Sequence, residues 1–188
     1  MKRKYYFSFS PAADVNYLFL FSLWDIAEYN QETKRFDTVR YTNLTELAAR
    51  LNVSAATLSR YLSGTSYNAF FTLDRKNKAI TLLNDVKELK PFVMLTDKQV
   101  SFLKKQKDKL LCKYFVYLAY YCRLSATTGT AQDFTAKQFL SSIGYCATSN
   151  KNLDKVSGFN CLLVSNELIK ITKFRDETGH TRNIYTLL

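Results

Sequence analysis

TNLTELAARLNVSAATLSRYL, residues 42–62, is the stretch on which the fold of this chain depends. Apolar residues recur at helical spacing in its first half. Asn43 is placed to cap that helix, with Glu46 three residues later to complete a capping box. Asn52 marks a sharp turn, because Asn tolerates the left-handed backbone that such a turn requires. Ser54 then caps a second helix. The stretch therefore predicts two helices joined by a tight turn.

The second helix of this pair is predicted to expose a small polar surface. Leu58, Tyr61 and Leu62 recur at the spacing of an inward face. A helix whose outer face carries small residues and one arginine can enter a DNA major groove without steric conflict. The residues left facing outward are Ser54, Ala55, Ala56, Ser59, Arg60 and Ser63, and of these the candidate base contacts are Ser54, Ala55, Ser59 and Arg60.

The segment ELAARLNVSAATLSRYL resembles the helix-turn-helix of many bacterial DNA-binding proteins. The resemblance depends on the Ala after Leu47, on Asn52 and Val53 in the turn, and on the Ser-Arg pair near the end. That motif usually has Gly at the turn, so Asn52 departs from it. The resemblance implies that the second helix reads DNA bases, with Val53 filling the turn. A plain helical hairpin inside an α-helical core is the alternative interpretation.

Two β-prone segments follow this motif, at residues 70–73 and 79–83, and a charged turn at 74–78 separates them. A hairpin directly after a recognition helix is the wing of a winged helix-turn-helix. Cations at its tip suit contacts with DNA phosphates. The candidate phosphate contacts are Arg75, Lys76 and Lys78. A solvated hairpin loop is the alternative.

The second half of the chain repeats this order of elements with little sequence identity. Residues 108–124 predict a long helix, with the polar loop 125–130 and a very short strand at 132–134 after it. Thr135 and Gln138 form a capping box for the next helix. Gly144 takes the turn position.

A second recognition helix and wing complete the repeat. Tyr145 is predicted to fill the turn as Val53 does, and Thr148 or Ser149 to cap a helix that ends near residue 164. Segments 168–174 and 183–187 then predict a hairpin. The candidate DNA contacts are Ser149, Asn150, Lys151, Asn152 and Lys155 on the helix, and Lys173, Arg175, His180 and Arg182 on the wing.

The other segments receive coarser predictions. Residues 4–10 are β-prone and predict an edge strand or an arm. Asp14 is placed to cap an apolar helix that runs to about residue 29. Residues 31–37 predict a polar loop before a short strand at 38–41. Residues 84–91 predict a linker, and a short helix capped near Thr96 opens the second half.

Charge and cysteine content bound the class of protein. The formal net charge is +11, of which residues 1–90 carry +4 and residues 91–188 carry +7. A protein this basic usually binds an acidic partner such as nucleic acid or an anionic membrane surface, although a compositional bias towards Lys is the alternative.

The spacings of Cys112, Cys122, Cys146 and Cys161 match no zinc or redox pattern. We therefore expect reduced cysteines in the core of a cytoplasmic protein, and we see no signal peptide or membrane span.

Motifs for catalysis are absent from the sequence. A single histidine, His180, cannot supply the two histidines of a zinc-protease motif, and its place in a predicted wing turn favours a solvent or phosphate contact over a catalytic base. There is also no phosphate-binding glycine loop. A tyrosine nucleophile such as Tyr67 stays open. We expect no enzyme activity, no metal and no cofactor.

Together these patterns predict a mainly α fold with small β-hairpin wings, an α+β class. Two winged helix-turn-helix domains, at 1–90 and 91–188, would form an internal pseudo-dimer. A monomer of this kind could read two neighbouring half-sites on double-stranded DNA about one helical turn apart.

The layout is similar to small DNA-binding proteins of Gram-positive plasmids and conjugative elements. That resemblance implies a transcriptional regulator, such as a repressor, or an accessory factor of conjugative transfer, with other plasmid-encoded proteins as further partners. Three alternatives stay open: a replication initiator that binds origin repeats, a winged helix that docks on a protein partner, and RNA binding.

Overall fold

The computed structural model describes residues 4–9, 14–85, 91–128, 134–175, 179 and 181–188. These residues form a mixed α/β structure with seven α-helices and three small antiparallel sheets. Contacts within the chain define two compact units. The first comprises Met1–Ser8 and Ala13–Lys109, and the second comprises Phe9–Ala12 and Leu110–Leu188.

The first unit combines four helices with two sheets. A two-stranded sheet pairs β1 with β6, and a four-stranded sheet has the order β2-β3-β5-β4. Its elements are β1 (Lys4–Ser8), α1 (Tyr17–Asp25), β2 (Glu28–Asn30), β3 (Arg35–Arg40), α2 (Leu44–Arg50), α3 (Ala55–Ser63), a 3-10 helix (Thr65–Tyr67), β4 (Phe71–Asp74), β5 (Ala79–Leu82), β6 (Phe92–Thr96) and α4 (Asp97–Gln106).

Helix α1 lies at the centre of the first unit because its sequence, YLFLFSLWD, is apolar on nearly every side. A helix with this pattern is covered all round instead of lying on a surface. Phe7 of β1 contacts Phe21 and Trp24 of α1 through aromatic edges. Asn16 caps the helix by accepting a hydrogen bond from the Leu18 N–H at 3.1 Å.

Several predictions for the first 41 residues were wrong. The cap of α1 is Asn16 and not Asp14, and the helix ends at Asp25. The predicted loop at 31–37 is instead the turn of a hairpin, since β2 precedes it and β3 already begins at Arg35. Asp37, Thr38 and Val39 of β3 are all buried, so the middle of this strand is covered on both faces.

The structure of residues 91–107 also differs from the prediction, because a strand precedes the predicted helix. Residues 92–96 form β6, and the register pairs Tyr6 of β1 with Met94. Val93 and Leu95 on the inward face of β6 are fully buried. Both β6 and α4 therefore belong to the first compact unit, whose boundary with the second lies after Lys109. Most of the predicted linker, residues 86–90, lies outside the described residues.

The second unit is a three-helix core with one hairpin. Its elements are α5 (Lys109–Thr128), α6 (Ala136–Ser142), α7 (Asn150–Ser165), β7 (Ile169–Arg175) and β8 (Thr181–Leu187). Tyr114 and Phe115 of α5, Phe139 of α6 and Leu163 of α7 are buried together in its core. The capping box between Thr135 and Gln138 is confirmed.

Helix α5 is longer than predicted, because it continues through the expected loop to Thr128. Phe134 is not in a strand, and residues 132 and 133 of the predicted short strand lie outside the described residues. Within the described part of the chain, none of the helices has the length and apolar character needed to cross a membrane.

Candidate nucleic-acid interface

The turn between α2 and α3 has the geometry that the sequence predicts. Asn52 has a φ of +52°, in the left-handed region. The Val53 N–H donates to the Ala48 carbonyl at 3.0 Å, and the Asn52 N–H donates to the Ala49 carbonyl at 3.1 Å. These two bonds form a Schellman motif, which satisfies carbonyls at the end of α2. The chain can therefore reverse within a few residues and begin α3.

The caps of α2 and α3 fix where each helix begins. Asn43 accepts a hydrogen bond from the Glu46 N–H at 2.9 Å, and Ser54 accepts one from the Thr57 N–H at 3.1 Å. The predicted capping box at α2 is only half formed. Glu46 accepts from the N–H of Thr42, which lies one residue before the cap, and this bond lowers the pKa of the Glu46 carboxyl.

Helix α3 exposes the face that the sequence assigned to it. Leu58 is completely buried, while Tyr61 and Leu62 are half-buried. The exposed residues are Ser54, Ala55, Ala56, Ser59, Arg60 and Ser63. This surface has no large apolar side chain, and its single cation, Arg60, lies 5.6 Å from the Tyr61 ring.

Asn16 connects α3 to the core helix α1. Its side-chain amide donates to the Tyr61 hydroxyl, and its backbone N–H donates to the Tyr67 hydroxyl, both at 2.9 Å. Burial raises the pKa of Tyr67 to about 12. The position of α3 thus depends on polar bonds as well as on packing.

The hairpin after α3 places cations beside it. Arg75, Lys76 and Lys78 are all exposed, and the tip is ordered by Asn77, whose N–H donates to Asp74 at 2.9 Å. A groove of about 280 Å³ lies between this hairpin and the two helices. Its lining residues are Tyr41, Thr42, Asn43, Leu44, Ser59, Leu62, Leu73, Arg75 and Lys78.

The second unit contains the same type of turn between α6 and α7. Gly144 has a φ of +75°, and the Tyr145 N–H donates to the Leu140 carbonyl at 2.8 Å. The prediction that Tyr145 fills this turn was wrong, since 49% of its surface is exposed. Five residues, 145–149, separate Gly144 from α7, whereas only residues 53 and 54 separate Asn52 from α3. The first turn of α7 therefore does not follow directly on Tyr145.

The candidate residues on α7 have different surroundings. Asn150, Lys151 and Lys155 are exposed, whereas Ser149 and Asn152 are half-buried. The Asn152 amide donates to the Cys146 carbonyl at 3.0 Å. Asn152 therefore supports the turn before α7, and the exposed residues 150, 151 and 155 are better placed to meet a ligand.

The second hairpin carries the remaining candidate cations. Lys173 and Arg175 are exposed, Arg182 is half-buried, and His180 lies outside the described residues. The base of the hairpin is tied to the helices by a polar network. The Tyr114 hydroxyl donates to Asn160 at 2.6 Å, and the Asn160 amide donates to the Tyr185 hydroxyl at 3.4 Å.

The cysteines are all free, but they are not all in the core as predicted. Cys112 is buried and Cys122 is half-buried, whereas Cys146 and Cys161 are exposed. Bonds from the Thr148 hydroxyl and from backbone N–H groups lower the pKa of the Cys146 thiol. Cys161 is exposed because it lies outside the stripe of α7 that contains Val156 and Leu163.

Comparisons with protein-family models, curated proteins and solved structures found no match to this chain. The described residues also contain no group of three or more His, Cys, Asp or Glu side chains that could hold a metal ion. Two surface features were missed from the sequence. Tyr145 was assigned to the interior, and the apolar residue near the tip of the second hairpin, Phe174, was treated only as part of a strand.

Proposed function

We propose that this chain is a non-enzymatic protein that binds double-stranded DNA in a sequence-specific manner through two winged helix-turn-helix domains. The observation that carries the proposal is the exposed surface of α3. Its residues are small or polar, and the cations Arg75 and Lys78 lie on the other side of the groove that Ser59 lines. Such a helix suits the major groove, while the cations suit phosphates.

The topology of the first unit supports this interpretation. Apart from the added strand β2, the chain order α1, β3, α2, α3, β4, β5, with β5 between β3 and β4 in the sheet, is the order expected of a winged helix domain. In the second unit α5, α6, α7 and the β7-β8 hairpin follow the same order. A third strand is not among the elements that the structure describes there, so the second domain depends on the helices and the hairpin.

The surface chemistry favours DNA over a protein partner. A docking helix buries apolar side chains at the centre of its interface, whereas α3 presents Ser59 and Arg60 between small residues. Within this function we favour a cytoplasmic transcriptional regulator or transfer accessory factor of a mobile element. A replication initiator is the second candidate.

The wing of the first unit provides a direct test. We expect the combined substitution Arg75→Ala, Lys76→Ala and Lys78→Ala to weaken duplex binding and to reduce the salt dependence of the affinity. Each lost phosphate contact lowers the slope of log K against log salt by about 0.9. Fluorescence anisotropy of a labelled duplex at several salt concentrations would measure both changes.

The matched control removes three cations elsewhere in the same unit. Lys98, Lys105 and Lys107 lie on or next to α4 and are exposed. If their replacement by Ala reduces the slope as much as the wing variant does, the binding follows net charge and the wing has no special role.

A further inference from the structure

Phe174 is an exposed aromatic residue on the outer part of the second hairpin. It lies one residue before the end of β7, and 36% of its surface is exposed. At the base of the same strand Ile169 is buried, and Ile171 is half-buried. Single exposed apolar residues are common, so exposure alone does not indicate a function. The position of Phe174 in the hairpin is the informative feature.

Three cations lie next to this phenylalanine in the hairpin. Arg182 is its direct partner across the hairpin, and Lys173 and Arg175 adjoin it on β7. Directly opposed residues of an antiparallel pair share a face of the ribbon, so Arg182 and Phe174 lie on the same side, whereas Lys173 and Arg175 face the other side. Asp176 and Glu177 follow in the sequence, outside the described residues. The described outer part of the hairpin thus combines one apolar ring with three positive side chains.

The two hairpins differ in length and in chemistry. The strands of the second have seven residues each, or about 23 Å of extended chain. Those of the first have four each, or about 13 Å, and Leu73, at the position equivalent to Phe174, is half-buried and lines the groove. The second hairpin can therefore reach further than the first and has an apolar group to insert.

We propose that Phe174 is a wedge that enters the DNA minor groove and partly unstacks one base step, while Arg182 on the same face contacts a flanking phosphate and Lys173 and Arg175 add positive charge to the hairpin. This inference rests on the proposed duplex binding. The minor groove is about 6 Å wide, which admits a side chain but not a two-stranded ribbon. Apolar wedges of this type kink the duplex towards the major groove. The DNA would consequently bend where the second unit binds.

The test uses the full chain and a duplex of 30 base pairs enriched by the protein from a random pool. Dyes at the two ends report bending by energy transfer, and 2-aminopurine placed in turn at each adenine reports unstacking. The variants are Phe174→Ala, Phe174→Leu and the control Val164→Ala, which truncates another exposed apolar side chain of the same unit. Circular dichroism confirms that each variant is folded.

We expect the unaltered chain, Phe174→Leu and Val164→Ala to raise 2-aminopurine fluorescence at one step and to bend the duplex. Phe174→Ala should abolish both signals while the affinity changes by less than about tenfold, because the cost of unstacking disappears together with the wedge contact. If Phe174→Ala still bends and unstacks the duplex, or if the unaltered chain binds without doing either, the proposal that Phe174 inserts between bases is wrong. The proposal of duplex binding is not affected by that result. If the unaltered chain enriches no duplex, the proposed function fails and the wedge fails with it.

Discussion

Leu58→Ala is expected to lower the free energy of unfolding of the first unit by about 2–5 kcal/mol. Leu58 is completely buried, whereas the other residues of α3 are half-buried or exposed. Truncation removes the apolar contacts of the side chain and leaves a cavity that the surrounding residues fill only in part. Since domains of this size are stable by only about 5–15 kcal/mol, the substitution would remove a large part of the free energy that keeps the first unit folded.

Urea denaturation followed by circular dichroism would measure this change. Ser59→Ala is the matched control, because Ser59 is the next residue of α3 and is exposed. We expect the control to change the stability by less than about 0.5 kcal/mol. Equal effects of the two substitutions would contradict the orientation of α3 described above, and with it the assignment of the exposed face.

Arg60→Ala is expected to weaken binding to the enriched duplex by about fivefold to more than a hundredfold, which corresponds to about 1–3 kcal/mol. The Arg60 side chain is exposed on α3 and can bond a guanine through two donors. Arg60→Lys should lose most of this affinity although it retains the charge, because an ammonium cannot make the paired contact.

Arg35→Ala is the control for this prediction. Arg35 forms an ion pair with Asp85 at 2.9 Å and lies at the start of β3, away from the end of that strand that adjoins the wing. We expect it to leave the affinity nearly unchanged. If Arg35→Ala and Arg60→Ala weaken binding equally, Arg60 contributes only its charge and does not read a base.

The parts of the first unit that follow local rules could be predicted from the sequence. Helical spacing identified the exposed face of α3, and the tolerance of Asn52 for positive φ identified the turn. Both depend on residues that are close together in the chain. The same reasoning identified Gly144 as the turn residue in the second unit.

Features that depend on distant contacts could not be predicted in this way. The pairing of β1 with β6 joins residues about ninety positions apart, and no local pattern identifies that partner. The roles of Asn152 and Tyr145 also depend on the length of one turn, since five residues separate Gly144 from α7 whereas two separate Asn52 from α3. For the same reason, the sequence favoured Asn152 as a base contact although its amide supports the turn.

The most direct test of duplex binding is a salt titration with the unaltered chain and a pool of random duplexes, followed by sequencing of the bound fraction. We predict affinity that falls by at least about a thousandfold between 50 and 200 mM salt if six or more phosphates are contacted. We also predict an enriched motif in two halves about one helical turn apart. Absence of binding at 50 mM salt would contradict the central claim, and the exposed face of α3 would then have to serve a different partner.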